Sequence, residues 1–254
     1  MSACRTIIVC LFWWPLACLA FEHSTWDGLL KRHVVLAENG KVSRLRYSGM
    51  AQDRPVLKAY LERLSAVREA EFKSWSRTEQ MAFLINAYNA FTVEKILTRY
   101  PGIASIWDFG RLFGNPFKDE FFLLLEGRRS LDAIEHELLR PVYRDPRVHY
   151  ALNCASVGCP MLREEAYAGP RLEAQLEEQA RRFLSDRGRN RLRGGRLEVS
   201  KIFDWFKEDF EPREKYFARY AGILADDAAG RQLILEAKAP LRFLDYDWAL
   251  NDAK

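Results

Sequence analysis

The sequence predicts an α+β fold, a helix-rich single domain in which a small antiparallel sheet and amphipathic helices surround a central buried helix. Three observations lead there. Ser76-Arg77-Thr78-Glu79 has the spacing of a capping box and opens a long apolar stretch from about Thr78 to Thr98, stopped by Pro101-Gly102. Its apolar residues, among them Met81, Leu84, Ala87, Phe91, Val93 and Ile96, surround much of the helix, so it is expected at the centre of the core. Short extended runs flank the turn-forming pairs Asn39-Gly40 and Gly194-Gly195, and no repeat or Ser/Pro/Gly-rich linker divides residues 21–254.

In chain order, Ser24 to about Lys31 opens an amphipathic helix, and Val34-Val35 and Val42 to Tyr47 read as extended. Pro55 suits the first turn of a helix that places Leu57, Tyr60, Leu61 and Leu64 on one face. After the central helix, Phe121 to Leu125, Glu126-Gly127 and the following Arg128-Arg129 read as a strand ending in a turn, and Ser130 caps a helix with Leu131, Ile134, Leu138 and Leu139 on its core face. Arg147 to Leu152 is expected as a short extended segment. Arg171 to Leu184 is a charged amphipathic helix, Leu192 and Leu197 to Val199 form a hairpin, and Ser200 caps a helix reaching Phe206. Two helices over about Pro212 to Ala237 and a strand from Leu241 to Tyr246 complete the chain.

The 254 residues include 39 Lys+Arg, 35 Asp+Glu, 48% apolar residues, 14 Gly and 10 Pro, which excludes collagen-like, low-complexity and wholly disordered classes. A formal charge of +4 does not imply a nucleic-acid partner. The N-terminus has the pattern of a secretory signal: Arg5, an apolar run from Ile7 to Leu19 broken by Pro15, and small residues Cys18 and Ala20 at the −3 and −1 positions. The run is shorter than a membrane span and Glu22 follows at once, so residues 1–20 are expected to be removed and the mature chain to be periplasmic or secreted, with no transmembrane segment after processing. A lipidated start at Cys18 is disfavoured, since Pro15 stands where such motifs carry Leu.

Of five cysteines, Cys154 and Cys159 alone lie outside that leader. In an oxidising compartment a Cys154–Cys159 disulfide across a turn-rich loop is one expectation. A zinc site would need His149 and His136 as further ligands, and the spacing matches no familiar finger, so neither metal nor other cofactor is expected. The other reading makes Cys154 a nucleophile. A thiol reacts as thiolate, and a neighbouring His149 and the small residues Ala155, Ser156 and Gly158, which let backbone N–H groups approach an anion, are means of stabilising it. Asn86 and Asn89, three apart, share a face of the apolar helix, where they either bridge neighbouring backbone or orient a catalytic group. Glu135 and His136 are adjacent and point about 100° apart on an α-helix, so one of them is expected to serve the site. Arg181, Arg182, Arg187, Arg189, Arg191, Arg193 and Arg196 form a basic run with little aromatic interleaving, read as a solvated hairpin or a dock for an anionic envelope component.

The motifs from Ile85 to Ala90, Ser130 to His136, Val148 to Ser156 with Cys159-Pro160, Ser200 to Trp205 and Tyr246 to Asn251 resemble the domain-of-unknown-function family 547, in order, over about Val56 to Asn251. The resemblance implies an exported setting for a bacterial chain and no settled activity. In plant-like members the position of Cys159 is often Ser, while that of Cys154 stays Cys, which implies that a disulfide is not the general purpose of Cys154. Two function classes follow. One is a cysteine-dependent hydrolase or acyl transferase acting on an amide, thioester or other peptide-like envelope substrate, with Cys154 as nucleophile, His149 or His136 as base, Glu135 or Asn86 as orienter, and Asn153 and Ser156 near the oxyanion. The other is a non-enzymatic envelope module with a structural disulfide and Arg187, Arg189, Arg191 and Arg193 as an anion dock. N-terminal sequencing of the protein from an envelope fraction is expected to begin at Phe21; an intact Met1 or a lipidated Cys18 would contradict the leader assignment.

Overall fold

Residues 20–110 and 114–253 are described by the structure, a computed structural model; all of the leader expected at residues 1–20 except Ala20 lies outside the described residues. The central helix is Arg77–Leu97, buried continuously from Met81 to Val93. Its capping box forms as the sequence predicts: the Glu79 N–H donates to Ser76 Oγ and the Ser76 N–H to Glu79 Oε2, both at 3.3 Å. The helix Arg54–Ser65 packs on it through Leu57, Tyr60, Leu61 and Leu64, all four buried.

Strand content is divided among three small sheets. β1 (Val34–Ala37) and β2 (Val42–Leu45) form an antiparallel hairpin whose turn uses Asn39 at φ +56° and Gly40 at φ +81°, conformations suited to those two residue types. β3 (Phe122–Leu124) pairs with β4 (Gly127–Arg129), so the Arg128-Arg129 pair belongs to a second strand rather than to the turn alone. β5 (Arg191–Arg193) and β6 (Arg196–Val199) flank Gly194-Gly195 as expected. β7 (Leu241–Phe243) joins β6 in parallel, which the intervening helical connection permits.

Two apolar clusters fill the interior. The larger surrounds the central helix; the smaller gathers Tyr150, Phe183, Phe203, Phe210 and Phe217. The segment expected to be extended at 147–152 is instead a helical turn, Val148–Ala151, every residue of which is buried. Asp145 starts it by accepting the Arg147 N–H at 2.9 Å. The turn sends Val148 and Ala151 into the larger cluster and Tyr150 into the smaller, a division that a strand lying on one sheet would not provide. The C-terminal region holds three short helices, Arg213–Arg219, Ala221–Leu224 and Ala228–Leu235, where two were expected. The helix capped by Ser130 winds wider over Ile134–Leu139, a π-helical segment, before resuming at Arg140–Tyr143. Among the described residues no helix is long and apolar enough to cross a membrane.

Candidate active site

The loop after Val148–Ala151 carries Cys154, and neighbouring backbone fixes its path. Asn89 donates Nδ2–H to the Ala151 carbonyl at 2.9 Å and accepts the Asn153 N–H at 2.8 Å. Asn153 in turn donates to the Pro160 carbonyl at 2.8 Å and accepts the Ala155 N–H at 3.0 Å, closing the loop on itself. Ala155 holds φ +63°, a turn that points the next backbone N–H back at the thiol. On its other side the loop lies against the C-terminal segment: the Val157 and Gly158 N–H groups donate to Ala249 and Asp247 carbonyls at 2.8 Å. A Cβ on residue 158 would sit 2.9 Å from the Asp247 nitrogen, so glycine is required for this approach.

Hydrogen-bonding groups crowd the Cys154 sulfur. Cys159 Sγ and Ser156 Oγ each lie 2.9 Å away and the Tyr246 hydroxyl 3.1 Å. Burial pushes the thiol up, but the bonds from Cys159, Ser156 (hydroxyl and backbone) and Tyr246 outweigh it and leave Cys154 below its ordinary value. Burial, reinforced by the bond to Cys154 and its charge, drives Cys159 the other way, so Cys159 keeps its proton and is able to donate to an ionised Cys154. Burial and the same charge hold Tyr246 protonated too. The expected disulfide is absent: the sulfurs are 2.9 Å apart, well beyond a bond of about 2.05 Å, and both cysteines are free thiols. The Cys159 sulfur also accepts the Cys154 N–H at 2.9 Å, and its S–H reaches the Leu152 carbonyl at 3.6 Å.

A second network surrounds His149, which is 4% exposed. Its Nε2 lies 2.6 Å from Asp209 Oδ2 and its Nδ1 3.5 Å from Glu135 Oε1, and the ring stacks on Phe206 at 4.0 Å between centroids. Burial favours the neutral imidazole, yet the bonds and charges of Asp209 and Glu135 prevail and raise its pKa. Burial raises Asp209 as well, but His149 and Arg140, the latter at 2.6 Å, hold it far below the usual carboxylate range. His136 is half-exposed, with Nδ1 2.6 Å from Arg140 Nη1.

Both networks border one cavity of about 360 Å³, lined by Cys154, Cys159, Glu135, His136, His149 and Asp132 together with Tyr88, Trp107, Trp205, Phe206, Tyr246 and Trp248. Glu135 and His136 both reach it from the π-helical segment 134–139. Asn86 bonds both ways with the Tyr167 backbone, at 2.8 and 3.0 Å, and neither it nor Asn89 nor Asn153 lines the cavity. Their amides hold backbone. Asp209 and Trp107 went unread in the sequence, and Trp205, Tyr246 and Trp248 were read as parts of the resembling motifs but not as site residues, since each stands far along the chain from the cysteines. The basic run is largely internally paired: Arg187 with Asp226, Arg191 with Glu198, and Arg189 with Asp186 and the Val157 carbonyl, while Arg193 is exposed. Among the described residues no group of three or more His, Cys, Asp or Glu side chains is arranged to hold a metal ion.

The raised His149 and lowered Asp209 make a defined pH dependence. A raised imidazole pKa contributes stability fully below its unfolded value of about 6.5 and loses it as pH rises through the folded value; a lowered carboxylate contributes above about 4 and loses it as pH falls. Asp209→Asn is therefore expected to destabilise most between those limits, by about 1.5–3 kcal/mol for a charged hydrogen bond, with the deficit shrinking toward alkaline pH. Denaturant melts across the range check it; a deficit independent of pH would contradict a charged pair.

No curated protein and no solved structure matches the chain. Residues 72–184 match the family model described as "Protein of unknown function, DUF547", a span that holds Glu135, His136, His149, Cys154 and Cys159 but ends before Asp209, Tyr246 and Trp205. Over those residues the chain is similar to that family, a domain of unknown function.

Proposed function

We propose that the protein is a cysteine-dependent acyl hydrolase or transferase with Cys154 as its nucleophile. The observation that carries this reading is the set of groups able to donate to one sulfur once it is ionised: a thiol, two hydroxyls and a backbone N–H converge on Cys154, in a cavity open to a ligand. Structural cysteines are inert because burial keeps them protonated; this one is stabilised as the anion. His149 is not the thiol's partner but stands in the same cavity as a cation held by Glu135 and Asp209, placed to give up a proton.

The reaction balances with these groups. The Cys154 thiolate adds to the acyl carbon of an ester, thioester or amide, the tetrahedral adduct expels the leaving group, and the His149 imidazolium protonates it. Water or an acceptor then gives its proton to the neutral His149 and attacks the acyl thioester, releasing product and restoring thiolate and imidazolium. When the sulfur becomes acylated, Ser156 and Tyr246 lose their anionic acceptor and are free to bond an oxyanion. An exported setting, periplasmic or secreted, belongs to the same reading and rests on residues 1–20. The binding-module reading has less behind it, since the cysteines are unbridged and three of its four docking arginines are already paired.

Single-turnover mass spectrometry tests the proposal. An activated ester such as p-nitrophenyl acetate and an alkyl thioester are each expected to leave one acyl group on Cys154, lost in Cys154→Ala. His149→Ala is expected to slow the alkyl thioester by about 100-fold, the lower range for a general acid, and the p-nitrophenyl ester far less, because p-nitrophenolate leaves without a proton. Acylation that persists in Cys154→Ala, or equal losses with both substrates, would contradict these roles.

A further inference from the structure

Resting on the acyl-transfer reading, we infer that the acyl group taken by Cys154 is apolar and uncharged, and that Trp107, Trp205 and Trp248 are its binding wall. The wall is continuous with the thiol. The Tyr246 hydroxyl bonds Cys154, and the Tyr246 ring lies 4.5 Å from Trp248 and 4.8 Å from Trp205. Trp248 stacks on Trp205 at 5.6 Å and meets Trp107 edge-on at 5.3 Å. Trp107 and Trp205 are 38% and 44% exposed, the only aromatic side chains among the exposed large apolar residues of the described chain. Both lie on this cavity, with Leu152, Pro160 and Ile202 adding aliphatic surface beside them. Apolar surface left facing solvent around a reactive thiol has a use if a substrate covers it.

Charge narrows the class. The described lining holds Asp132 and Glu135 and no Lys or Arg, and the His149 cation is already faced by two carboxylates. An acyl chain ending in a carboxylate would meet like charge with no Lys or Arg among the described lining residues to receive it, whereas a straight hydrocarbon chain would bury against the indoles.

Acyl thioesters of N-acetylcysteamine, from acetyl to octanoyl with succinyl beside butyryl, test this with the full chain. Single-turnover acylation of Cys154 is expected to rise about three- to fourfold per added methylene, the transfer free energy of one CH₂ read as a rate ratio, with succinyl at least about tenfold slower than butyryl. Trp205→Ala and Trp107→Ala are expected to cut the octanoyl-to-acetyl ratio about tenfold, the contribution of about two methylenes, and Trp205→Phe to keep most of it. Iodoacetamide labelling of Cys154 reports whether each variant retains its site. Acetyl transfer with no dependence on chain length, or a preference for succinyl, overturns the apolar assignment and leaves acyl transfer standing. No acylation at any length while iodoacetamide still labels Cys154 overturns both.

Discussion

The candidate site depends on one buried amide. Asn89 sits on the central helix and pairs with backbone on both sides of the bend that leads to Cys154, taking the Asn153 N–H and giving to the Ala151 carbonyl. From there the tie continues: Asn153 bonds Asn251 at 3.3 Å, and Asn251 accepts from the Tyr47 hydroxyl at 3.0 Å. A line of buried side chains thus connects the N-terminal part, the thiol loop and the C-terminal segment. Each of these groups is too deep for water to replace a lost partner, and an unpaired one costs about 1–3 kcal/mol. The sulfur's donors, Ser156 from the loop and Tyr246 from the C-terminal segment, converge only because both backbones are held.

Two separate electrostatic devices face each other across the cavity. On one wall neighbouring hydrogen-bonding groups lower the pKa of a thiol, on the other carboxylates raise that of an imidazole, so each wall favours a charged form. Neither needs the other for its charge, so thiolate and imidazolium need not touch to coexist. A cavity walled by aromatic rings strengthens both, because a low local dielectric makes each hydrogen bond to a charge count for more than in water. The same wall disfavours any arrangement in which either charge lacks partners.

Features set by local chemistry were legible in the sequence. The capping box at Ser76, the Pro55 helix, the Asn39-Gly40 and Gly194-Gly195 turns and the burial of the central helix follow from residues close together in the chain. Cys154, Ser156, His149, Glu135 and His136 were also readable as candidates, and all but Ser156, which bonds the thiol, line the cavity. Their partnerships were not. Reading 147–152 as extended paired His149 with Cys154, whereas the helical turn sends His149 to Asp209, sixty residues on. The π-helical winding at Ile134–Leu139 leaves no mark in an amphipathic pattern, so Glu135 and His136 read as rivals when both face the cavity. Spacing alone does not separate a disulfide from a thiol pair in which one sulfur donates to the other. The arginine run read as a free basic face because its pairing with acids on both sides of it in the chain, Glu164 and Glu178 before and Glu198 and Asp226 after, is set by the fold.

The account turns on the Cys154 thiol ionising below its ordinary value, and the ultraviolet absorbance of the thiolate measures this directly. Titrating the protein and its Cys154→Ala variant, and taking the difference, isolates that one group from Cys159 and the tyrosines. The predicted result is a transition below the ordinary thiol value of about 8.5, shifted upward in Tyr246→Phe as one donor is removed. A transition at or above that value, unmoved by Tyr246→Phe, would contradict it.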